Sequence, residues 1–308
     1  MEIALQFVLL ALGFVMLGKG ADWFVEGAAG IAMRFGIPQL VIGLTIVAMG
    51  TSAPEAAVSI AAAVKGNADI TIGNIVGSNI LNILVILGLA ASIVPIAVAR
   101  STVRIEIPFM IGVTALLFYQ GRDGSISLAD GGVLMVAFAA YMMYLYTMAM
   151  KSNVDSDLEE PGLPLGRCLL GAVGGLALII AGSNVTVGAA TSIATYAGLS
   201  ERFIGLTIVA LGTSLPELFT SVAAARRGNA DIAIGNIVGS NIFNILFVVG
   251  LSSLIIDIPF ASAFNFDTYV ALGAAVLLWL CALRTQRLQR WAGALMLVCY
   301  AAYLGYIL

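Results

Sequence analysis

The sequence has no histidine, only three cysteines and little charge. Without histidine there is no imidazole metal site, no His-based triad and no imidazole pH switch. Cys168, Cys281 and Cys299 lie far apart in apolar stretches, so they form no CxxC pair or disulfide framework and read as buried packing. Charged residues make up 10% of the 308, far below the roughly 25% of soluble chains. Fourteen Lys+Arg against seventeen Asp+Glu leave no basic surface for nucleic acid. What is abundant is apolar: 61% of residues, with a mean hydropathy of +1.05, so most of the chain is solvated by lipid. No polar stretch is long enough for a separate water-soluble domain.

At about 20 residues per span, hydropathy predicts ten membrane helices. They fall near 3–33, 39–64, 70–94, 104–120 and 126–149, then 164–196, 201–226, 232–256, 266–284 and 290–308. The opening MEIALQFVLL lacks a basic leader and is expected to start an uncleaved first span.

The chain is a duplication. Residues 43–82 and 205–244 align without gaps at an offset of 162, with 30 of 40 positions identical, among them Thr, Ser, Pro, Glu, Asn and Asp. The expected organisation is a first five-helix repeat (1–150), a polar linker (151–163) and a second repeat (164–308). An odd number of spans per repeat makes the copies cross in opposite senses, the inverted-repeat plan of many secondary transporters. With both termini outside, ten Lys/Arg fall in inner loops and three in outer ones, as the positive-inside rule requires. The linker's Asp155, Asp157 and Glu159 superficially suggest a calcium loop. Glu160 stands where that loop needs glycine and Gly166 where it needs glutamate, which excludes an EF-hand.

Glu55 and Glu217 sit at equivalent points deep inside apolar segments, within GTSAPE and GTSLPE. An ionised carboxylate at mid-membrane costs at least about 2.5–3.5 kcal/mol, so such residues are functional candidates by default. Pro54 and Pro216 are expected to break each helix and free the carbonyls of Gly50 and Gly212. Thr51 and Glu55, at i,i+4, are expected to share a face, as are Thr213 and Glu217. On the following span Ser78 and Asn82, matched by Ser240 and Asn244, form a second polar face, and small-xxx-small ridges permit close approach. Carboxylates, hydroxyls, amide oxygens and carbonyls make an all-oxygen set suited to hard cations such as Ca²⁺ and Na⁺. Asn67, Asp69, Asn229 and Asp231 read as helix caps. Lys19, Asp22 and Glu26 share a face of the first span and read as mutually bridged or exposed.

The doubled GTSxPE and GNIVGSN motifs resemble the two alpha-repeats of the calcium/cation antiporter superfamily, closest to its sodium/calcium exchanger branch of prokaryotic type. The resemblance implies an all-α integral membrane protein of ten helices, with spans two, three, seven and eight forming an ion-binding core and the first and sixth sliding across it. It implies a non-enzymatic antiporter without cofactor, functional as a monomer in the lipid bilayer of the plasma (inner) membrane, exchanging Ca²⁺ for Na⁺ by alternating access. Glu55 and Glu217 would be the central ligands. Thr51 and Thr213 would add carbonyl and hydroxyl oxygens. Ser78 and Ser240, with the carbonyls of Ala48 and Ala210, would form flanking Na⁺ sites, and Asn82 with Asn244 would complete the centre. Some prokaryotic relatives carry Asp at one of those last positions; here both are Asn. The alternatives are another cation pair (K⁺-dependent Na⁺/Ca²⁺ or H⁺/Ca²⁺ exchange), a cation channel, or an intramembrane protease using the paired acids. Protons are expected to compete for the same oxygens.

Overall fold

The computed structural model describes residues 2–152, 163–198 and 210–307. Among the described residues twelve helices carry the architecture. In the first half these are α1 (Glu2–Arg34), α2 (Gln39–Thr51), α3 (Ala53–Val64), α4 (Ile70–Ile93), α5 (Thr102–Asp123) and α6 (Leu128–Ser152). In the second they are α7 (Leu165–Tyr196), α8 (Ala210–Thr213), α9 (Leu215–Arg226), α10 (Ala230–Ile255), α11 (Ala263–Leu283) and α12 (Arg290–Ile307). Among the described residues eight helices are long and apolar enough to cross a membrane, and the bent pair α2–α3 makes nine. The expected span at 201–226 begins outside the described residues. The 151–163 linker lies mostly outside them too.

Helices α4 and α10 are the most deeply buried, while α1, α6, α7 and α12 present large apolar side chains such as Val15, Val136, Leu170 and Val298 outward. Only lipid tolerates such a surface without penalty, because it gains nothing from hiding methyl groups. Two short antiparallel pairs tie the halves at their loops: β1 (Ile96–Ala97) with β4 (Arg287–Leu288), and β2 (Ser125–Ile126) with β3 (Ile258–Pro259).

Helices α1 and α7 pack antiparallel with their backbones almost touching. A Cβ added to Gly27 would lie 2.4 Å from Ala172 N, and one on Gly175 would lie 2.5 Å from Phe24 N. Gly20 closes the same seam against Gly175 O. With no hydrophobic drive between helices in lipid, this close van der Waals fit is what holds them.

Two expectations about charged and polar ends are refined. In the GNAD segments Asn229 holds the N-cap position of α10 without a side-chain cap bond, and the side chain of Asp69 lies outside the described residues. Neither α4 nor α10 has a side-chain cap bond at its start. Instead Gly66 (φ 77°) and Gly228 (φ 79°) close the preceding helices. Gly66 N bonds Ala63 O and Asn67 N bonds Ala62 O, with the same pattern at Gly228 and Asn229. That is a Schellman ending, which needs a left-handed residue that glycine adopts without strain. Lys19 and Glu26 are exposed and Asp22 partly so, one of the two expected outcomes, and the acids' partner is not Lys19. Both carboxylates take the guanidinium of Arg227 from the end of α9, each at 3.1 Å.

Candidate ion-binding site

The site begins where two helices break. Helix α2 stops at Thr51 and α3 restarts at Ala53, bent by 52°, with Ser52 in a non-helical conformation (ψ 7°) between them. Ser214 (ψ 4°) separates α8 from α9 in the same way. Pro54 and Pro216 fall in the first turn of the second segment, where a missing N–H costs nothing. Glu55 and Glu217 therefore occupy the first turn of a helix, where the positive end of the helix dipole favours an anion. Both are 1% exposed.

The break also redirects the hydroxyls. Ser52 Oγ donates to Glu217 Oε1 at 2.7 Å, and Ser214 Oγ donates to Glu55 Oε1 at 3.3 Å. Thr51 lies near Glu217, and Thr213 near Glu55. The halves are thus crossed: a serine of each orients the other's carboxylate. The two acids feel each other's charge.

Asparagines build the floor. Asn74 Nδ2 donates to Ser59 Oγ at 2.9 Å and to Glu55 O at 3.3 Å; Asn236 repeats this with Ser221 Oγ (2.9 Å) and Glu217 O (3.4 Å). Thr51 Oγ1 donates to Asn236 Oδ1 at 3.0 Å. Between α4 and α10, Asn79 Nδ2 donates to Asn241 O at 3.1 Å and Asn241 Nδ2 returns the bond to Asn79 O at 3.3 Å. Asn82 Nδ2 donates to Asn241 Oδ1 (2.9 Å) and Asn244 Nδ2 to Asn79 Oδ1 (3.1 Å). The amide nitrogens are spent within the protein. Asn82 and Asn244 each open a π-helical turn, Asn82–Leu87 and Asn244–Val249, a local widening common at functional positions.

Of the glutamates and asparagines just described, four buried oxygens are left without a hydrogen-bond partner: Glu55 Oε2, Glu217 Oε2, Asn82 Oδ1 and Asn244 Oδ1. Leaving a buried acceptor unpaired costs about 1–3 kcal/mol, more when it is charged. Two charged and two neutral oxygens, one of each from either half, therefore favour a desolvated cation. Among the described residues no group of three or more Cys, Asp or Glu could hold a metal alone, so neutral oxygens must complete any coordination shell.

Of the other residues singled out from the sequence, Ser78 and Ser240 are buried on α4 and α10, and Ser240 Oγ donates to Ala48 O at 3.3 Å. That carbonyl also accepts from Ser52 N (3.0 Å). Ala210 opens α8. The carbonyl of Gly212, expected to be free, accepts from Ser183 Oγ of α7 at 2.7 Å. Sequence reasoning passed over Ser52, Ser214, Asn74, Asn236, Asn79 and Asn241. The signal was available: each is a polar identity repeated at the offset of 162.

The family model described as sodium/calcium exchanger protein matches residues 5–147 and 168–308. The chain belongs to the sodium/calcium exchanger family. This exchanger is 40% identical over 314 residues to the putative antiporter CaxA of Alkalimonas amylolytica, covering 98% of each chain. It is 33% identical to the sodium/calcium exchanger MaX1 of Methanosarcina acetivorans, again over 98% of each. Among solved structures, the sodium-calcium exchanger NCX_Mj, soaked with Na⁺ and Sr²⁺, superimposes with a TM-score of 0.86 at 34% identity, covering 98% of this chain and 99% of that one. The exchanger is accordingly an all-α, multi-pass membrane transporter, as the doubled motif implied.

Proposed function

We propose that the exchanger moves Ca²⁺ in one direction and Na⁺ in the other through the Glu55–Glu217 site by alternating access. The observation that carries this reading is the set of four unpartnered buried oxygens, two of them carboxylate, contributed equally by the two halves. A single Ca²⁺ cancels both charges, and so do two or more Na⁺. An empty pair of carboxylates repels itself and is poorly solvated in a low-dielectric core. The empty core therefore resists occlusion, and one cation must be replaced by the other before the site crosses. Thr51, Thr213, Ser78 and Ser240, with the carbonyls of Ala48 and Ala210, act around this centre as flanking Na⁺ ligands or as groups that orient it.

The same reading has ten spans in two inverted repeats, residues 1–150 and 164–308, joined by a cytoplasmic linker at 151–163. Support comes from the antiparallel seam of the equivalent helices α1 and α7 and from the reciprocal bonds between Asn79 and Asn241. Both termini face outside, in keeping with the loop charges, and the chain works as a monomer in the plasma (inner) membrane. Ca²⁺ and Na⁺ are substrates, and no cofactor takes part.

The test is uptake of radioactive Ca²⁺ into vesicles loaded in turn with Na⁺, K⁺ or protons. Uptake driven by internal Na⁺ and abolished in Glu55→Gln and Glu217→Gln is the expected result. Uptake that needs K⁺ beside Na⁺ converts the reading to K⁺-dependent exchange, and uptake without any counter-ion gradient identifies a channel. Unchanged exchange in both glutamine variants overturns the assignment of the site.

A further inference from the structure

A second intramembrane acid lies outside the ion-binding centre. Glu106 ends the π-helical turn Thr102–Glu106 at the start of α5 and is 0% exposed. Tyr144 of α6 donates its hydroxyl to Glu106 Oε1. The other carboxyl oxygen, Oε2, has no hydrogen-bond partner. Two more buried oxygens beside it are equally orphaned: Thr102 Oγ1, one turn earlier on α5, and Tyr141 Oη from α6. Stacking of Tyr141 on Phe109, with centroids 5.3 Å apart, holds that phenol in place.

No cationic side chain balances this acid; among the described residues the ion pairs are those of Arg227. The elements packed on α5 supply no neutralising charge. Helix α6 presents Tyr141 and Tyr144. Helix α11 places Trp279 Nε1 on Val103 O at 2.9 Å and carries Cys281 two residues on. Helix α10 has Asp231, at its first turn, as its one ionisable residue. The second half offers an instructive contrast. There Tyr303 donates to Asp267 Oδ1 at 2.9 Å between α12 and α11, but that acid is only partly buried and leaves no orphaned oxygen.

We propose that Glu106, Thr102 and Tyr141 form a second cation site that holds one monovalent positive charge, a proton or an alkali-metal ion, apart from the exchanged ions. A bare carboxylate in this position is too costly to keep. One positive charge on Oε2 neutralises it: an alkali-metal ion can draw on the lone pairs of all three oxygens, while a proton makes Oε2 a donor to one of the two hydroxyls. A divalent ion would leave a net positive charge in an apolar wall, so the site selects for single charge.

The test is infrared difference spectroscopy of the full-length protein, wild type minus Glu106→Gln, in alkali-free buffer and then with rising Na⁺ or K⁺ at constant pH. A carboxylic-acid C=O band that persists throughout identifies a proton. A band that gives way to carboxylate absorption as the alkali ion is added identifies that ion. Carboxylate absorption alone in alkali-free buffer means a bare charge and overturns the proposal. If Glu106→Gln does not fold, Tyr144→Phe serves instead: removing the donor to Oε1 shifts the band of a neutralised Glu106, and an unshifted spectrum counts against the site. Na⁺-driven Ca²⁺ uptake should survive in Glu106→Gln, because the charge held there is not one of those exchanged.

Discussion

Ser52 and Ser214 set which oxygen of each glutamate stays free. Each hydroxyl engages Oε1 of the opposite carboxylate, and the unpaired Oε2 is what a cation can use. Hydrogen bonds to charged groups are worth about 1.5–3 kcal/mol. Ser52→Ala should therefore weaken apparent Ca²⁺ affinity by about tenfold or more, at 1.4 kcal/mol per factor of ten. Glu217→Gln should abolish uptake. A titration of initial uptake rate against Ca²⁺ separates the two. Acidity acts on the same atoms. A proton on Glu55 or Glu217 removes a charge that the cation needs, so lowering the pH from mild values should slow Ca²⁺ uptake and raising it should restore the rate. Uptake unaffected by acidification would mean that the carboxylates do not hold the ion.

Among helices, the tightest fit is the α1–α7 seam. Gly27→Ala puts a methyl group 2.4 Å from a backbone nitrogen, and the two helices must separate to admit it. Overpacking of this kind costs about 1–3 kcal/mol, and thermal unfolding in detergent should register it as a lowered midpoint. The same substitution at Gly112, where the added Cβ meets nothing within 4 Å, should leave the midpoint unchanged or slightly raised. The contact of Arg227 with Asp22 and Glu26 joins α9 to α1, but its side chains are 36–50% exposed. Exposed pairs contribute about 0–1 kcal/mol, so Arg227→Gln should move the midpoint little.

Across the whole molecule, strict coupling is the expected behaviour. Proteoliposomes with Ca²⁺ outside and no exchangeable cation inside should show no uptake above the protein-free level, while Na⁺-loaded ones accumulate Ca²⁺. The family and the two central acids were legible in the sequence, because GTSAPE and GTSLPE stand at a fixed offset within apolar runs where no carboxylate resides by accident. The approximate limits of the spans among the described residues were legible too, since a span length follows from bilayer thickness. The crossing of Ser52 to Glu217 and of Ser214 to Glu55 was not legible, because an i,i+4 rule reads one unbroken helix and the chain bends at Ser52. The GNAD segments were only partly legible: Asn229 takes the N-cap position, but a left-handed glycine one residue earlier ends the preceding helix with backbone bonds alone.

Linear pattern was enough to establish a duplicated, lipid-solvated helical chain with a matched intramembrane acid and a polar ridge in each copy. Composition and periodicity carry that information because each is a property of neighbouring residues. The choice of which oxygens remain open to a cation came from folding. The bonds that consume a competing oxygen of Glu55, Glu217 and the site amides join residues 159 to 185 positions apart, across the two halves. Such partners exist only once α2 and α3 meet α9 and α10, when the hydroxyls of one half have reached the carboxylate of the other.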